Sequence, residues 1–156
     1  MDKVKVGTLH SLLYVLVASL SCLLLLASCS LPRIIVIDDS LSPEEHLNLG
    51  VAYEKKAEYD PAIEEYKKAA KQINLAYVYL GNIYFQKGDY EKAKRSYEKA
   101  IDKDPSLADA YNNLAWLYYS RKESLPEAES LASRAVELDP KSETYRDTLA
   151  HIRKIR

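Results

Sequence analysis

Cysteine, glycine and histidine are scarce in this sequence of 156 residues. It contains two cysteines, four glycines and three histidines, and its formal net charge is −1 at neutral pH. Zinc sites of histidine and cysteine, and glycine-rich loops that cradle phosphate, need such residues in close spacing. A nucleic-acid-binding surface needs a basic excess. We therefore expect no metal, no cofactor, no nucleic acid partner and no catalytic site.

The one long apolar run lies near the amino terminus and ends at a cysteine. Lys3 and Lys5 precede it, residues 11–26 form it, and the small residues Ala27 and Ser28 follow it. A positive segment, an apolar segment and small residues before a cleavage point are typical of a secretory signal peptide. The run is also shorter than the ~20 residues of a membrane-spanning helix.

The segment Leu26-Ala27-Ser28-Cys29 resembles the lipobox of bacterial lipoproteins. This resemblance implies that residues 1–28 are a cleaved signal peptide and that lipid is attached to Cys29, which anchors the protein to a membrane. Ser30, in place of the aspartate that retains such proteins in the inner membrane, implies an outer-membrane protein facing the periplasm. An uncleaved anchor and an ordinary signal peptide are the alternatives.

Residues 29–41 are predicted to tether the domain to its lipid anchor. The dozen residues after the cysteine could reach roughly 40 Å at ~3.3 Å each. The apolar run Ile34-Ile35-Val36-Ile37 is unusual in a linker, which is normally polar. Three interpretations stay open: the run packs on the first repeat, adds as a strand to a partner, or inserts into the protein's own groove.

One pattern of aromatic and small residues occurs three times after this linker. The three copies are His46, Leu49, Gly50, Tyr53, Ala62, Tyr66 and Ala69; Tyr77, Leu80, Gly81, Tyr84, Ala93, Tyr97, Ala100 and Pro105; and Tyr111, Leu114, Ala115, Tyr118, Ala128, Ala132, Ala135 and Pro140. They resemble the tetratricopeptide repeat (TPR), a helix-turn-helix unit of about 34 residues. The resemblance implies an all-α solenoid of three repeats, at about 43–73, 74–107 and 108–142, with a C-terminal capping helix at 143–156.

Local features refine this expectation. Ser42-Pro43-x-Glu45 combines an N-cap, a first-turn proline and a capping-box glutamate, so the first helix should begin near Pro43. Gly50 and Gly81 are 31 residues apart, which predicts a tighter turn at residues 71–74. The third copy has one extra residue in its turn and Ala132 where an aromatic is usual.

TPR proteins bind partners on a concave surface lined by the first helix of each repeat, and the resemblance implies the same surface here. Helical spacing selects a largely apolar and aromatic set, which we call the first-helix stripe: Leu47, Val51, Val78, Asn82, Phe85, Asn112, Trp116, Tyr119 and His151. One alternative is an error of helical phase, with Trp116 and Phe85 in the core. Another is a homo-oligomer in which a second copy covers the stripe.

Some TPR proteins grip a C-terminal carboxylate with basic residues, and this clamp is absent here. The matching positions are Leu47 and Val51 in the first repeat and Asp109 and Asn113 in the third. An apolar or aromatic peptide or protein is therefore the predicted partner.

The predicted function is that of a membrane-anchored, periplasm-facing scaffold or adaptor. An accessory subunit of an envelope peptidase, secretion or pilus system is the alternative, since the third copy looks like the TPR tails of some lipoprotein cysteine peptidases, although the peptidase part is missing. An enzyme is the alternative of another class. It is disfavoured because the predicted mature chain has no free thiol and its two histidines are distant in sequence.

Overall fold

The computed structural model describes residues 39–155, which fold into seven α-helices without a strand. The helices are α1 (Pro43–Lys55), α2 (Tyr59–Ala69), α3 (Ala76–Gln86), α4 (Tyr90–Lys103), α5 (Ala108–Arg121), α6 (Leu125–Leu138) and α7 (Glu143–Ile155). None of them is long and apolar enough to cross a membrane. The predicted signal peptide, Cys29 and the 34–37 run lie outside the described residues.

The first helix begins as its capping sequence predicts. The backbone N–H of Glu45 donates to the Ser42 hydroxyl at 3.2 Å, and the backbone N–H of Ser42 donates to the Glu45 carboxylate at 2.7 Å. Pro43 opens the helix, where its missing N–H costs nothing. These two reciprocal bonds satisfy backbone donors that would otherwise have no partner at the helix end.

Consecutive helices pack into three hairpins, α1 with α2, α3 with α4, and α5 with α6, and α7 packs on α6. The first helices also contact one another, α3 with α5 and α5 with α7, whereas no comparable contact joins the second helices of the described chain. The first helices therefore lie closer together, and the stack curves with α3, α5 and α7 on its inner side. This is the side where the first-helix stripe was expected.

Small residues allow the close packing within each hairpin. The paired alanines of the second helices are fully buried: Ala62, Ala69, Ala93, Ala100, Ala128 and Ala135. Gly50 and Gly81 let the rings of Tyr66 and Tyr97 approach so closely that a Cβ at either glycine would lie 2.5 Å from a ring carbon. In the third repeat, Ala115 and Ala132 are both fully buried. The third hairpin therefore packs through two small residues and not through a glycine and a tyrosine.

The predicted tight turn at residues 71–74 is wrong. Helix α2 has 11 residues and α4 has 14, whereas the connection after α2 (70–75) is longer than that after α4 (104–107). The short first repeat therefore has a shorter second helix. Its connection stays compact because the N–H groups of Ala76 and Tyr77 bond to carbonyls three residues back, at 3.1 Å each.

The last helix covers the end of the stack, as expected of a cap. Ile152 is fully buried, and Thr148 is buried one turn before it. Arg153 donates from Nε to the Glu129 carboxylate of α6 at 2.9 Å. The side of α7 that faces away from α6 exposes Arg146 and Asp147 to solvent, so the described chain ends in a polar outer face.

Candidate functional site

The structure divides the first-helix stripe into buried, half-buried and exposed residues. Val78 and Asn112 are buried, with 3% and 6% of their surfaces exposed. Both are core residues of the stack and not part of an accessible surface, which corrects their sequence-based assignment. The reason is that α3 and α5 contact each other directly, so a position that one helix alone would expose is covered by the neighbouring repeat. Half-buried positions are Leu47, Val51, Asn82, Phe85 and Tyr119.

Trp116 is the most exposed aromatic feature of the stripe. It exposes 40% of its surface, and its ring centroid lies 5.2 Å from that of Tyr119, which packs against the core below. An error of helical phase would have placed Trp116 in the core, and its exposure contradicts that alternative. The exposed indole of Trp116 therefore lies against the ring of a half-buried tyrosine.

Phe85 provides a second, less exposed aromatic ring on α3. It is half-buried against the same core cluster as Tyr119 and meets Tyr90 edge to face, with centroids 5.6 Å apart. Arg121 lies over the other ring of this pair, 4.5 Å from the centroid of Tyr90. These contacts fix the position of Phe85, so its outer edge is a preformed apolar surface.

A row of side-chain amides runs between α3 and α5. The Tyr97 hydroxyl donates to Asn82 Oδ1 at 2.9 Å, and Asn113 Nδ2 donates to the same oxygen at 2.9 Å. Asn112 Nδ2 in turn donates to Asn113 Oδ1 at 3.2 Å. The Asn112 Oδ1 atom is buried without a hydrogen-bond partner, and an unsatisfied buried acceptor costs about 1–3 kcal/mol.

A second tyrosine hydroxyl bonds a first-helix side chain in the first repeat. Tyr66 donates to the Glu54 carboxylate at 2.6 Å, and Gln86 Nε2 donates to the other carboxylate oxygen at 3.4 Å. Burial, and then the bond to Glu54, raise the pKa of Tyr66, and burial raises the pKa of Tyr97. Both hydroxyls therefore remain protonated donors at neutral pH.

Sequence reasoning missed these two hydroxyl bonds, although a signal for them exists. The repeat pattern usually has phenylalanine where Tyr66 and Tyr97 stand. A tyrosine at that position keeps the ring and adds one donor, which in this structure reaches a side chain of the same hairpin.

The other end of the inner side is formed by the cap. His151 is exposed on α7. The Tyr145 hydroxyl donates to the Asp109 carboxylate at 2.6 Å and so links α7 to α5. Asp109 therefore already has a bond within the protein. No group of three or more histidine, cysteine, aspartate or glutamate side chains within residues 39–155 could hold a metal ion.

A cleft of about 300 Å³ lies at the beginning of α4. Lys92, Lys94, Arg95 and Arg121 contribute to its lining, together with three acidic residues. Lys92 pairs with Asp89 at 2.9 Å, and Arg121 pairs with Glu123 at 3.1 Å. Because two of its four cations pair with acidic residues of the same lining, we regard the cleft as a structural feature of the surface.

Family models match most of the helical part of the chain. A model described as "TPR repeat" matches residues 81–121, and two models described as "Tetratricopeptide repeat" match residues 46–72 and 107–138. No curated protein matches the chain significantly.

Solved TPR structures are similar to the chain at low sequence identity. One is the first TPR of Spaghetti (RPAP3) bound to the HSP90 peptide SRMEEVD, with a TM-score of 0.67 and 22% identity over 75% of this chain and 94% of that one. Another is the Arabidopsis OM64 TPR domain, with a TM-score of 0.67 and 20% identity over 73% of this chain and 96% of that one. At this identity, the likeness shows the fold alone.

Proposed function

Because the chain is a tetratricopeptide repeat protein, we propose that it is a non-catalytic scaffold that binds a peptide or protein partner on the exposed part of the first-helix stripe. Lipid on Cys29 holds it at a bacterial outer membrane, facing the periplasm. The partner contributes apolar or aromatic side chains. The observation that carries the binding proposal is the exposure of Trp116 beside Tyr119 on the inner side of the stack.

An exposed tryptophan on a curved, preformed face supports partner binding. Trp116 and Tyr119 lie on one helix at i and i+3, and Phe85 packs on the same core cluster as Tyr119. Tryptophan and tyrosine are the residues that most often dominate interface energies, and truncating one costs ~2 kcal/mol or more. Exposed apolar surface of this kind usually marks an interaction site.

The lack of basic residues at four positions of the first helices supports an apolar partner. The peptide bound by the RPAP3 repeat, SRMEEVD, contains three acidic residues. This chain has Leu47, Val51, Asp109 and Asn113 where carboxylate-gripping repeats have basic residues, and Asp109 is bonded to Tyr145. An acidic peptide end would therefore find no cation at these positions.

The test of binding is the double variant Trp116→Ala with Tyr119→Ala. Crosslinking and pull-down from an envelope fraction should lose the partner of the wild-type protein, while circular dichroism stays helical. The matched control is Ile155→Ala, which removes an exposed apolar side chain (49% exposed) from the end of α7 and should keep the partner. A folded double variant that captures every wild-type partner would refute binding on the stripe.

The membrane attachment is tested separately. Metabolic labelling with a palmitate analogue should tag the wild-type protein and the control Cys22→Ala but not Cys29→Ala, because only Cys29 follows the lipobox-like residues. Labelling that persists in Cys29→Ala would refute the lipid anchor without affecting the binding proposal.

A further inference from the structure

We infer that Glu54 selects partners that carry a lysine or arginine side chain, which it binds at the border of the first-helix stripe. The inference rests on the proposed function, that the stripe binds a peptide or protein. It adds a requirement on the partner: an extended segment with a cationic side chain three residues from the apolar side chain that meets Phe85.

Two donors hold the Glu54 carboxylate in place. The Tyr66 hydroxyl of α2 donates to Oε2 at 2.6 Å, and Gln86 Nε2 of α3 donates to Oε1 at 3.4 Å. Tyr66 is fully buried, so the core fixes its hydroxyl. A carboxylate offers about four acceptor sites, so these bonds leave others open for a ligand. A group held in place in this way loses little side-chain entropy when the ligand binds.

The carboxylate of Glu54 has no cationic partner among the described residues. None of the ion pairs within residues 39–155 includes it. Glu54 is half-buried, so its carboxylate has lost part of its contact with water. Hydrogen bonds between ionised groups are about twice as strong as bonds between neutral groups. A cation from a partner is therefore the ligand that this site favours most.

The fold does not need a charge at this place. In the second repeat the equivalent tyrosine, Tyr97, bonds the uncharged side-chain amide of Asn82. An uncharged group is therefore enough to satisfy the hydroxyl of a tyrosine at this position. The carboxylate of Glu54 satisfies Tyr66 in the same way and adds a negative charge that the packing does not require. A charge at the border of a largely apolar stripe points to a charged ligand.

Glu54 lies in line with two aromatic residues of the stripe. Glu54, Phe85 and Tyr119 each follow the tyrosine that ends the first-helix part of the repeat pattern, so they occupy equivalent places on α1, α3 and α5. Gln86, next to Phe85, bonds Glu54 directly, so α1 and α3 adjoin here. Packed helix axes lie about 8–10 Å apart. In a polyproline II segment every third side chain faces one side, about 9 Å from the last. Such a segment can therefore set an apolar side chain at Phe85 and a cation at Glu54.

The surface beside Glu54 suits the aliphatic part of a long cationic side chain. Leu47 and Val51 precede Glu54 on the same side of α1, and both are half-buried. Lysine and arginine pack their methylene groups along apolar surface and keep the charged end beside water or an anion. Carboxylate-gripping repeats have basic residues at the positions of Leu47 and Val51. This end of the stack therefore has the opposite preference, and Glu54 repels an acidic side chain.

The experiment selects internal peptides on the full-length chain in detergent. Random peptides displayed between two constant segments are selected separately on wild type, Glu54→Gln and Glu54→Lys. Glu54→Gln keeps an acceptor for the Tyr66 hydroxyl and removes only the charge. The matched control is Glu91→Gln, which makes the same change at an exposed residue of α4, a second helix. Circular dichroism verifies the helicity of each variant.

The charge of the selected peptides should follow the charge of residue 54. Peptides selected on wild type and on Glu91→Gln should carry lysine or arginine three residues from an apolar or aromatic residue. Peptides selected on Glu54→Gln should keep the apolar residue and lose the preference for a cation. Peptides selected on Glu54→Lys should carry an acidic residue in its place. A residue with a purely structural role would not reverse the charge of the selected peptides.

The affinity of one peptide selected on wild type gives the size of the effect. Replacing its cation by norleucine should weaken binding about fivefold in fluorescence anisotropy, as expected for a partly exposed pair of charges, and should have little effect on binding to Glu54→Gln. No preference for a cation on wild type, or the same preference on a folded Glu54→Gln, would overturn the inference while Trp116→Ala still loses the peptide. Failure to select any peptide, or full binding to Trp116→Ala, would refute the proposed function and the inference that rests on it.

Discussion

The ring of Tyr97 approaches Gly81 so closely that a Cβ atom at Gly81 would lie 2.5 Å from Cδ1 of the ring. Tyr97 cannot move aside easily, because it is buried in the core and its hydroxyl is bonded to Asn82. Tyr97 therefore both determines the packing of the second hairpin and bonds the side-chain amide of Asn82 in the stripe.

The substitution Gly81→Ala should destabilise the domain by about 1–3 kcal/mol, the usual cost of overpacking a core. The added methyl group must displace a buried ring or separate α3 from α4. The midpoint of urea unfolding of residues 40–156 measures the effect. An unchanged midpoint would mean that the packing of the second hairpin is looser than the structure has it.

One substitution in the turn of each of the first two hairpins should change the stability of the domain, in opposite directions. Gly88 has a φ of 78° and Ala57, in the equivalent turn, has a φ of 58°, both in the left-handed region. A Cβ at Gly88 would meet nothing within 4 Å. Gly88→Ala should therefore cost about 1 kcal/mol through backbone strain alone, whereas Ala57→Gly should raise the melting temperature slightly. A decrease in both variants would show that chain entropy outweighs the relief of strain at residue 57.

The sequence predicts the hairpins well because few packings suit its small residues. Alanines two turns apart, such as Ala93 and Ala100, leave Tyr97 as the only bulky side chain of the buried face of α4, and Gly81 on α3 leaves space for its ring. The spacing of these residues alone therefore determines which faces meet. The capping residues Ser42 and Glu45 likewise depend only on local sequence, and they were predicted correctly.

The site was harder to predict because it depends on contacts between repeats. Val78 and Asn112 share the periodicity of the stripe, but their burial follows from the contact of α3 with α5, which a single helix does not encode. The bond of Tyr97 to Asn82 needs the distance between two helices of a hairpin. The bond of Asn113 to Asn82 needs the distance between two repeats.

Truncation after Pro140 should cause aggregation or a much lower melting temperature. Removing α7 takes away the buried Ile152 and exposes the apolar side of α6, and terminal repeats need a polar outer cover. Light scattering and circular dichroism of the truncated chain measure the outcome. A soluble and equally stable truncation would mean that α7 is a tail and not a cap.

Alkaline pH should destabilise the domain partly through Tyr97. Burial raises the pKa of Tyr97 above its ordinary value of 10.0, so the unfolded chain loses this proton before the folded chain does. The neutral Tyr97 hydroxyl therefore makes its full contribution to stability below about pH 10, and this contribution is lost as the pH rises through the pKa of Tyr97 in the folded state. The melting temperature of wild type should therefore fall more steeply than that of Tyr97→Phe above about pH 10. A difference in melting temperature between the two that stays constant across this range would contradict the burial of a neutral hydroxyl at this position.

Trp116 offers the most direct test of the central claim, since it is the only tryptophan of the chain and lies exposed on the stripe. Its fluorescence reports the proposed binding surface alone when the added peptide lacks tryptophan. In the free protein, acrylamide should quench this fluorescence efficiently. Saturating peptide should shift the emission to shorter wavelength and protect it from acrylamide, because the partner covers the indole. Bound peptide, verified by anisotropy, with unchanged emission and unchanged quenching of Trp116 would contradict partner binding on the first-helix stripe.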